Sequence, residues 1–416
     1  MYDPYMDFEK RSLPNGLEVH STFWDREWLA VEVVVHSGAR EDPGDLPGLA
    51  HFVEHCVSEN IPGFDCEQAH KFFEAVGGNV AFGATGFLKT RYNFIVPADP
   101  AILQGALDIL GSMLLGEKIE KNIENERKII LREFNISYPY HELLEWELAI
   151  RHALYKGHRL EAYNRPLGML DSIRRVTQGD LQAFYNRHYV PANMSIVTVG
   201  GLRPDMVLSV LLASPFNVQL LGNRNPVCTP AAVLPAPNTK GMTVRISDYT
   251  SFKVDQGDFA AKWSFPASFP IQSRKVYVCM LRDILMSEVR ARRSLTYGVQ
   301  VTTVHYQDVV EVGISSKVTP DAVHDLGDIV TNCITQVTKR RDLFEHHLKR
   351  CILGCKMLDI SGKEFAEECT EDLALHQRII TQHEIRDELG KVTFEQMQEA
   401  SQLLNPERQY TFIAHP

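Results

Sequence analysis

His51-Phe52-Val53-Glu54-His55 is the stretch on which the reading of this chain turns. On a helix, residues four apart stack on one face and a residue three along lies beside them, so both imidazoles can reach one ion while the carboxylate faces it. The order H-x-x-E-H reverses the H-E-x-x-H arrangement. In either order the glutamate can act as general base, because it touches the bound water and not the ion. The spacing points to a zinc hydrolase with His51 and His55 as ligands and Glu54 as base. The same five residues also suit an amphipathic helix with two solvent-facing histidines, so the rest of the chain has to separate the two readings.

A catalytic zinc takes three protein side chains and leaves a fourth position for water. Asn125-Glu126-Arg127-Lys128-Ile129-Ile130-Leu131-Arg132-Glu133-Phe134 has helical apolar spacing, and its carboxylates at 126 and 133 are two turns apart and share a face. Read alone, they also suit a solvated helix surface.

Composition sets the class. At 416 residues the chain exceeds the size at which one hydrophobic core stops growing, which implies at least two domains. A hydrophobic fraction of 44% supplies large cores, and 23% of residues are charged. No run approaches eighteen apolar residues, so no membrane partner is expected; Leu29 to Val35 is short, holds Glu32 and reads as a buried strand. Net charge of −10 argues against nucleic acid and mildly favours cationic peptides. The first ten residues lack a basic region followed by an apolar stretch and carry acids that a mitochondrial presequence avoids, so a cytoplasmic location is expected. The eight cysteines form no C-x-x-C pair, and Cys351 and Cys355, one helical turn apart, read as packed thiols. Reduced cysteines agree with that compartment.

Along the chain, strand patterns (Leu29 to Val35, Arg91 to Val96, Ser195 to Val199) alternate with helical ones (Pro100 to Leu115, Ile123 to Phe134, Thr177 to Asn186). Between Asn223 and Gly241 lie Pro226, Pro230, Pro235 and Pro237, a composition that resists helix and central strand and reads as a linker. Beyond it come strands at Gly257 to Phe265 and Val309 to Ser315 and helices at Ser273 to Val289, Pro320 to Thr338 and Leu343 to Leu358. The expected domains are 1–222, with the zinc motif, and 242–416, joined by 223–241.

Several ordered stretches resemble the pitrilysin and insulinase family of zinc metallopeptidases, which includes the mitochondrial processing peptidases. They are Leu13-Pro14-Asn15-Gly16-Leu17, Gly38-Ala39-Arg40-Glu41-Asp42, Gly48-Leu49-Ala50 leading into His51, Gly77-Gly78, the Glu126 to Glu133 helix, and Tyr189-Val190-Pro191-Ala192-Asn193-Met194 leading into Gly200-Gly201. The resemblance implies an α+β fold of two homologous domains, each a mainly antiparallel sheet packed with helices, together half of a clamshell. It also implies that Glu133, 78 residues after His55, is the third ligand of one Zn2+ per chain, and that Glu126 is the supporting acid of the active site, orienting the ligands from behind.

A second likeness lies at Arg290-Ala291-Arg292-Arg293-Ser294-Leu295-Thr296-Tyr297-Gly298, where the family places an arginine and a tyrosine that complete the active site. The resemblance makes Arg290 and Tyr297 catalytic, their guanidinium and phenol stabilising the tetrahedral intermediate of amide hydrolysis. It implies further that a peptide substrate adds as a strand to Val80-Ala81-Phe82-Gly83-Ala84; here Ala81-Phe82 stand where the family usually has Asn-Ala. Four such domains make a closed chamber in the family, and this chain has room for two. A homodimer with each active site completed in trans is therefore expected. The expected function is a zinc endopeptidase acting on unfolded peptides or small proteins in that chamber; the alternatives are a noncatalytic structural or chaperone-like subunit, or the catalytic subunit of a heterodimer.

Overall fold

A computed structural model of the chain describes residues 8–58, 66–116, 119, 123–138, 141–161, 166–220, 222–226, 241–245, 256–354 and 362–415. These residues form two compact units, and each unit draws on more than one stretch of sequence.

The first unit comprises Met1–Ser137, Tyr163–Val227 and Asp359–Thr381. With elements numbered along the whole chain, its strands are β1 (Glu9–Ser12), β2 (Glu18–Phe23), β3 (Trp28–Val35), β4 (Asn79–Thr85), β5 (Thr90–Pro97) and β6 (Met194–Gly200), in the order β1-β2-β6-β3-β5-β4. Neighbours run antiparallel except for β2 beside β6. Its helices are α1 (Leu49–Ser58), α2 (Cys66–Ala75), α3 (Pro100–Leu114), α4 (Ile123–Ser137), α6 (Leu170–Arg175), α7 (Gln178–His188), α8 (Pro204–Ala213) and α12 (Gly362–His376).

Local chemistry explains many of these boundaries. Asp99 accepts from the backbone N–H groups of Ala101 and Ile102 at 2.8 and 3.1 Å, and Pro100 fills the first turn, so α3 starts there. The run Trp28-Leu29-Ala30-Val31-Glu32-Val33-Val34-Val35 is buried almost throughout instead of alternating with solvent. The cause is α12: Phe365, Ala366, Cys369 and Leu373 pack on Ala30, Val197 and Val199, so the second face of the sheet is also covered. Glu32 lies on that covered face, 3.7 Å from Arg91, whose other partner is Glu367 of α12 at 2.7 Å.

The second unit comprises Tyr138–Ala162, Cys228–Leu358 and Gln382–Pro416. It contains α5 (His141–Tyr155), β7 (Gly241–Arg245), β8 (Gly257–Pro266), α9 (Ile271–Leu285), β9 (Val299–His305), β10 (Val309–Val318), α10 (Leu326–Val337), α11 (Arg341–Gly354), α13 (Gln382–Leu389), α14 (Phe394–Leu403) and β11 (Tyr410–His415). The sheet order is β7-β11-β8-β10-β9, antiparallel apart from β7 beside β11. The first half of β8 alternates buried and half-buried residues, and Phe259, Trp263 and Phe265 enter a core shared with α9, α10 and α14.

The two sheets are built alike. Taking β2, β6, β3, β5 and β4 in spatial order against β7, β11, β8, β10 and β9 gives the same sequence of parallel and antiparallel neighbours, with β1 as an addition to the first. The α+β class with two similar sheet-plus-helix units is as expected. One detail was not legible in the sequence. The helix α5, which follows α4 in the chain, packs on β8 and β11, and α12, which follows α11, packs on the matching strands β3 and β6. Each sheet is thus covered by a helix from the other half of the sequence.

Two expected helices differ in form. The Ser273 to Val289 pattern is α-helical to Leu285 and then widens to a π-helix over Met286–Arg292. The Pro320 to Thr338 pattern opens with a 3-10 turn, Pro320–Ala322, and the α-helix starts only at Leu326. Of the linker, 227–240 lies outside the described residues, as do Cys355 and the last residues of the Leu343 to Leu358 pattern. Among the described residues no helix is long and apolar enough to cross a membrane.

Candidate metal centre

The centre is assembled on α1 and α4 of the first unit. Asp42 receives the N–H groups of Gly48 and Ala50, each at 2.7 Å, and so ties down the start of α1. Gly48 has φ of +94°, and a Cβ there would meet the Cα of Gly168 at 2.8 Å, so the turn into the helix requires glycine. Arg127 of α4 donates to the carbonyl of Val176 at 2.8 Å and to that of Ile173, and its guanidinium lies over Phe52 of α1, 5.3 Å from the ring centroid. The charge-assisted bonds tie α4 to the end of α6, and the ring contact sets α4 against α1.

On that support, His51 Nε2 and His55 Nε2 lie 3.6 and 3.5 Å from the same oxygen, Oε2 of Glu133. The three ligand atoms are all within 4.8 Å of one another. The imidazole rings stand edge to face, 4.7 Å between centroids and at 88°. Donors about 2.0–2.1 Å from a tetrahedral ion are about 3.3 Å apart, so two nitrogens and a carboxylate oxygen at this spacing fit zinc in both size and donor type. Glu126, two turns before Glu133, sits behind His55, with Oε2 3.4 Å from Nδ1. A carboxylate there holds the ring so that Nε2 faces Glu133.

Burial sets the protonation of the pair that faces the centre. His51 is pushed down to about 3, by burial first and by the charge of His55 second, so its ring is neutral and has a lone pair to offer at pH 7. Burial pushes the Glu54 carboxyl up to about 7, against the smaller opposing effects of His55, Ser58 and Thr85. A cation held by the triad would draw Glu54 back toward its ionised form. Glu54 Oε2 is 4.0 Å from His51 Nε2, beside the ligands and not among them.

The other expected residues fall in two places. Val80, Ala81, Phe82, Gly83 and Ala84 lie on β4, the edge strand of the first sheet, whose register with β5 is interrupted between Ala81 and Ala84. Phe82 packs edge-on against His70 and Phe73. Arg290 and Tyr297 belong to the second unit: Arg290 lies in the π-helix, its guanidinium 5.0 Å over the Tyr297 ring, and Tyr297 is 88% exposed. Sequence reasoning missed Ser58, Thr85 and Asp42. Ser58 had a signal, being four residues after Glu54 on the same helix face; Asp42 stands six residues before Gly48, within a quoted stretch that gave it no role, and Thr85 comes from a segment distant in sequence.

Residues 26–164 match the family model described as Insulinase (Peptidase family M16), and residues 175–352 match the one described as Peptidase M16 inactive domain. The chain is 24% identical over 341 residues to an uncharacterized zinc protease of Mycobacterium tuberculosis, covering 79% of this chain and 74% of that protein. It is 27% identical over 202 residues to the mitochondrial-processing peptidase subunit beta of Caenorhabditis elegans, covering 48% and 42%. In fold it is similar to a protease from Helicobacter pylori, with a TM-score of 0.81 at 17% identity over 99% of this chain and 100% of that one. It is also similar to the first half of the periplasmic protease PqqL from Escherichia coli, with a TM-score of 0.80 at 15% identity over 100% and 93%.

Proposed function

The chain belongs to the insulinase family of peptidases, family M16, and from that premise we propose that it is a zinc endopeptidase acting on unfolded peptides or small proteins. The observation that carries the proposal is the convergence of His51, His55 and Glu133 on one point with Glu54 beside them. Zinc held there, one per chain, would supply a Lewis acid and a water of lowered pKa. Glu54 takes the proton of the attacking water on its carboxylate and returns it to the leaving amine. Glu126 keeps His55 oriented through Nδ1.

The peptide adds as a further strand along Val80 to Ala84, a role supported by the place of β4 at the sheet edge. Arg290 and Tyr297 stabilise the oxyanion, and in a homodimer they come from the partner chain, so that two chains close the chamber. We read 1–222 and 242–416 as the two repeats, with 223–241 between them. The heterodimeric alternative draws its support from the similarity to a processing-peptidase subunit. The proposed compartment is the cytoplasm, in keeping with reduced thiols at Cys56, Cys279, Cys333 and Cys369; cell fractionation decides between it and the periplasm.

Metal analysis and a quenched-peptide assay on purified protein, before and after chelation, test the reading. About one zinc per chain and cleavage that is lost with the chelator and restored by zinc support it. Glu54→Gln should keep the metal and lose hydrolysis by at least ~100-fold; activity within a few-fold of wild type removes Glu54 as base, and a wild-type protein that binds zinc without cleaving any peptide favours the noncatalytic alternative.

A further inference from the structure

Beyond its approach to His51, the Glu54 carboxylate is enclosed by three residues from two elements. Ser58, one turn on in α1, has its hydroxyl 3.3 Å from Glu54 Oε1, 2.8 Å from the Glu54 carbonyl and against the carbonyl of Phe82 in β4. A hydroxyl has one proton, so these three acceptors share it. Thr85 Oγ1 donates to the other oxygen, Oε2, at 3.3 Å. Gly83 closes the gap between them: a Cβ built on it would lie 1.9 Å from Oε1 and 2.5 Å from the carboxyl carbon, and its φ is +152°.

The break in the β4–β5 register explains how the three meet. Ala81 pairs with Asn93 and Ala84 with Arg91, so Phe82 and Gly83 bulge from the ladder. The bulge frees the Phe82 carbonyl from regular pairing, and Ser58 takes it, which pulls the strand down onto α1 and brings the Gly83 backbone over Glu54. Only a residue without a Cβ permits that approach. A loose carboxylate on a three-bond side chain would spend much of its time out of reach of the water it must deprotonate, and a displacement of 1 Å is enough to cost about 100-fold in rate.

We propose that Ser58, Thr85 and Gly83 are positioning residues that lock the general base Glu54 in place and tie it to the strand expected to hold the substrate. The proposal rests on the peptidase reading of the centre. None of the three touches the metal ligand atoms, so their removal should alter turnover and leave zinc in place.

The test uses the full-length zinc-loaded protein and the variants Ser58→Ala with Thr85→Ala, Ser58→Thr, and Gly83→Ala. Zinc content, kcat, KM and a crystal structure are measured for each. The double variant should keep about one zinc per chain and a KM within about twofold, while kcat falls ~10- to 100-fold and the Glu54 carboxylate takes up more than one position. Ser58→Thr restores a hydroxyl and should keep kcat within about threefold. Gly83→Ala should lower kcat more than the double variant, by ~100-fold or more, with Glu54 displaced; should it fail to fold, the double variant decides alone, since it removes two hydroxyls and one methyl and adds no atom. A double variant with kcat within twofold of wild type, zinc lost in step with activity, or a Glu54 carboxylate unmoved in the crystal overturns the proposal. Absence of chelator-sensitive cleavage in the wild type instead overturns the peptidase reading, and the crystallographic position of Glu54 still decides the positioning claim.

Discussion

The helix after β3 and the helix after β8 stand at the same step of the same sheet topology, yet they bury different chemistry. In α1 the buried residues include His51 and Glu54, one pushed down to about 3 and the other up to about 7 by burial. In α9 the buried residues include Val276, Tyr277, Met280, Leu281 and Leu285, which fill the second unit's core. Each helix folds for the same reason, an apolar face seated on a sheet. The first copy also holds ionisable groups in an environment that penalises their charge, a cost that a bound cation would relieve. The second copy has no histidine in α9, and its distinctive groups, Arg290 and Tyr297, lie beyond it, around a π-helical turn and near the edge strand β9. A shared architecture therefore says little about which copy does chemistry; the side chains placed on it decide.

Five measurements break or sharpen this contrast. The largest effect should come from the first unit: His51→Ala, His55→Ala or Glu133→Ala should lose zinc and at least ~1,000-fold in activity together, because each removes a proposed ligand. Full zinc occupancy in Glu133→Ala would move the third ligand to Glu126 or elsewhere. The second unit should matter for rate and not for metal. Tyr297→Phe should retain zinc and lose ~10²- to 10³-fold in kcat. Mixing it with Glu54→Gln should recover activity if sites are shared across a dimer, toward half of wild type in the heterodimer and about a quarter in a randomly exchanged equal mixture, since one heterodimer site collects both lesions and the other none. No recovery despite verified subunit exchange sinks sharing in trans.

A smaller effect concerns stability. Glu32 is fully buried beneath α12, and burial, opposed by Arg91, pushes its carboxyl up to about 7. Its folded value exceeds its ordinary value of 4.5, so the folded state holds a proton that the unfolded state releases, and stability falls as pH rises from about 4.5 to 7. Glu32→Gln should accordingly stabilise the protein at pH 8 by ~1–3 kcal/mol, with the gain vanishing near pH 4, as read from urea unfolding midpoints. Equal effects at both pH values would show that the charge is not the cause. The smallest effect is chemical labelling. Cys279 of the second unit is lowered to about 6 by its hydrogen bond with Cys351 and by Arg282, Arg350 and Lys275, while burial raises Cys56 to about 12 and Cys369 well above its usual range. Iodoacetamide at pH 7 should modify Cys279 well before Cys56 or Cys369, as peptide mass mapping would report.

The parts legible in the sequence were those fixed by short-range spacing. Glu126 and Glu133 share a helix face because seven residues make two turns, and the structure brings Glu133 to both histidines and Glu126 to the back of His55. Leu29 to Val35 was readable as a buried strand from its β-branched run, although nothing in it said that α12, more than three hundred residues later, would cover its second face. The same limit applies to the π-helix at Met286–Arg292, since α- and π-helical turns draw on the same residues and differ in packing.

What the sequence offered by itself was the H-x-x-E-H spacing and the shared helix face of Glu126 and Glu133, because helical periodicity is a local property that survives in a linear string; the proposed roles of Glu133 and Glu126 and the two-copy α+β plan came with the family resemblance. What only the tertiary structure decided was how Glu54 is held and how the sheets are covered. Ser58 to Phe82, Thr85 to Glu54 and α12 to β3 are meetings of segments far apart in the chain, or of side chain with backbone across a bulge. Such contacts follow from burying apolar faces together in three dimensions, and no repeat period in the sequence encodes them.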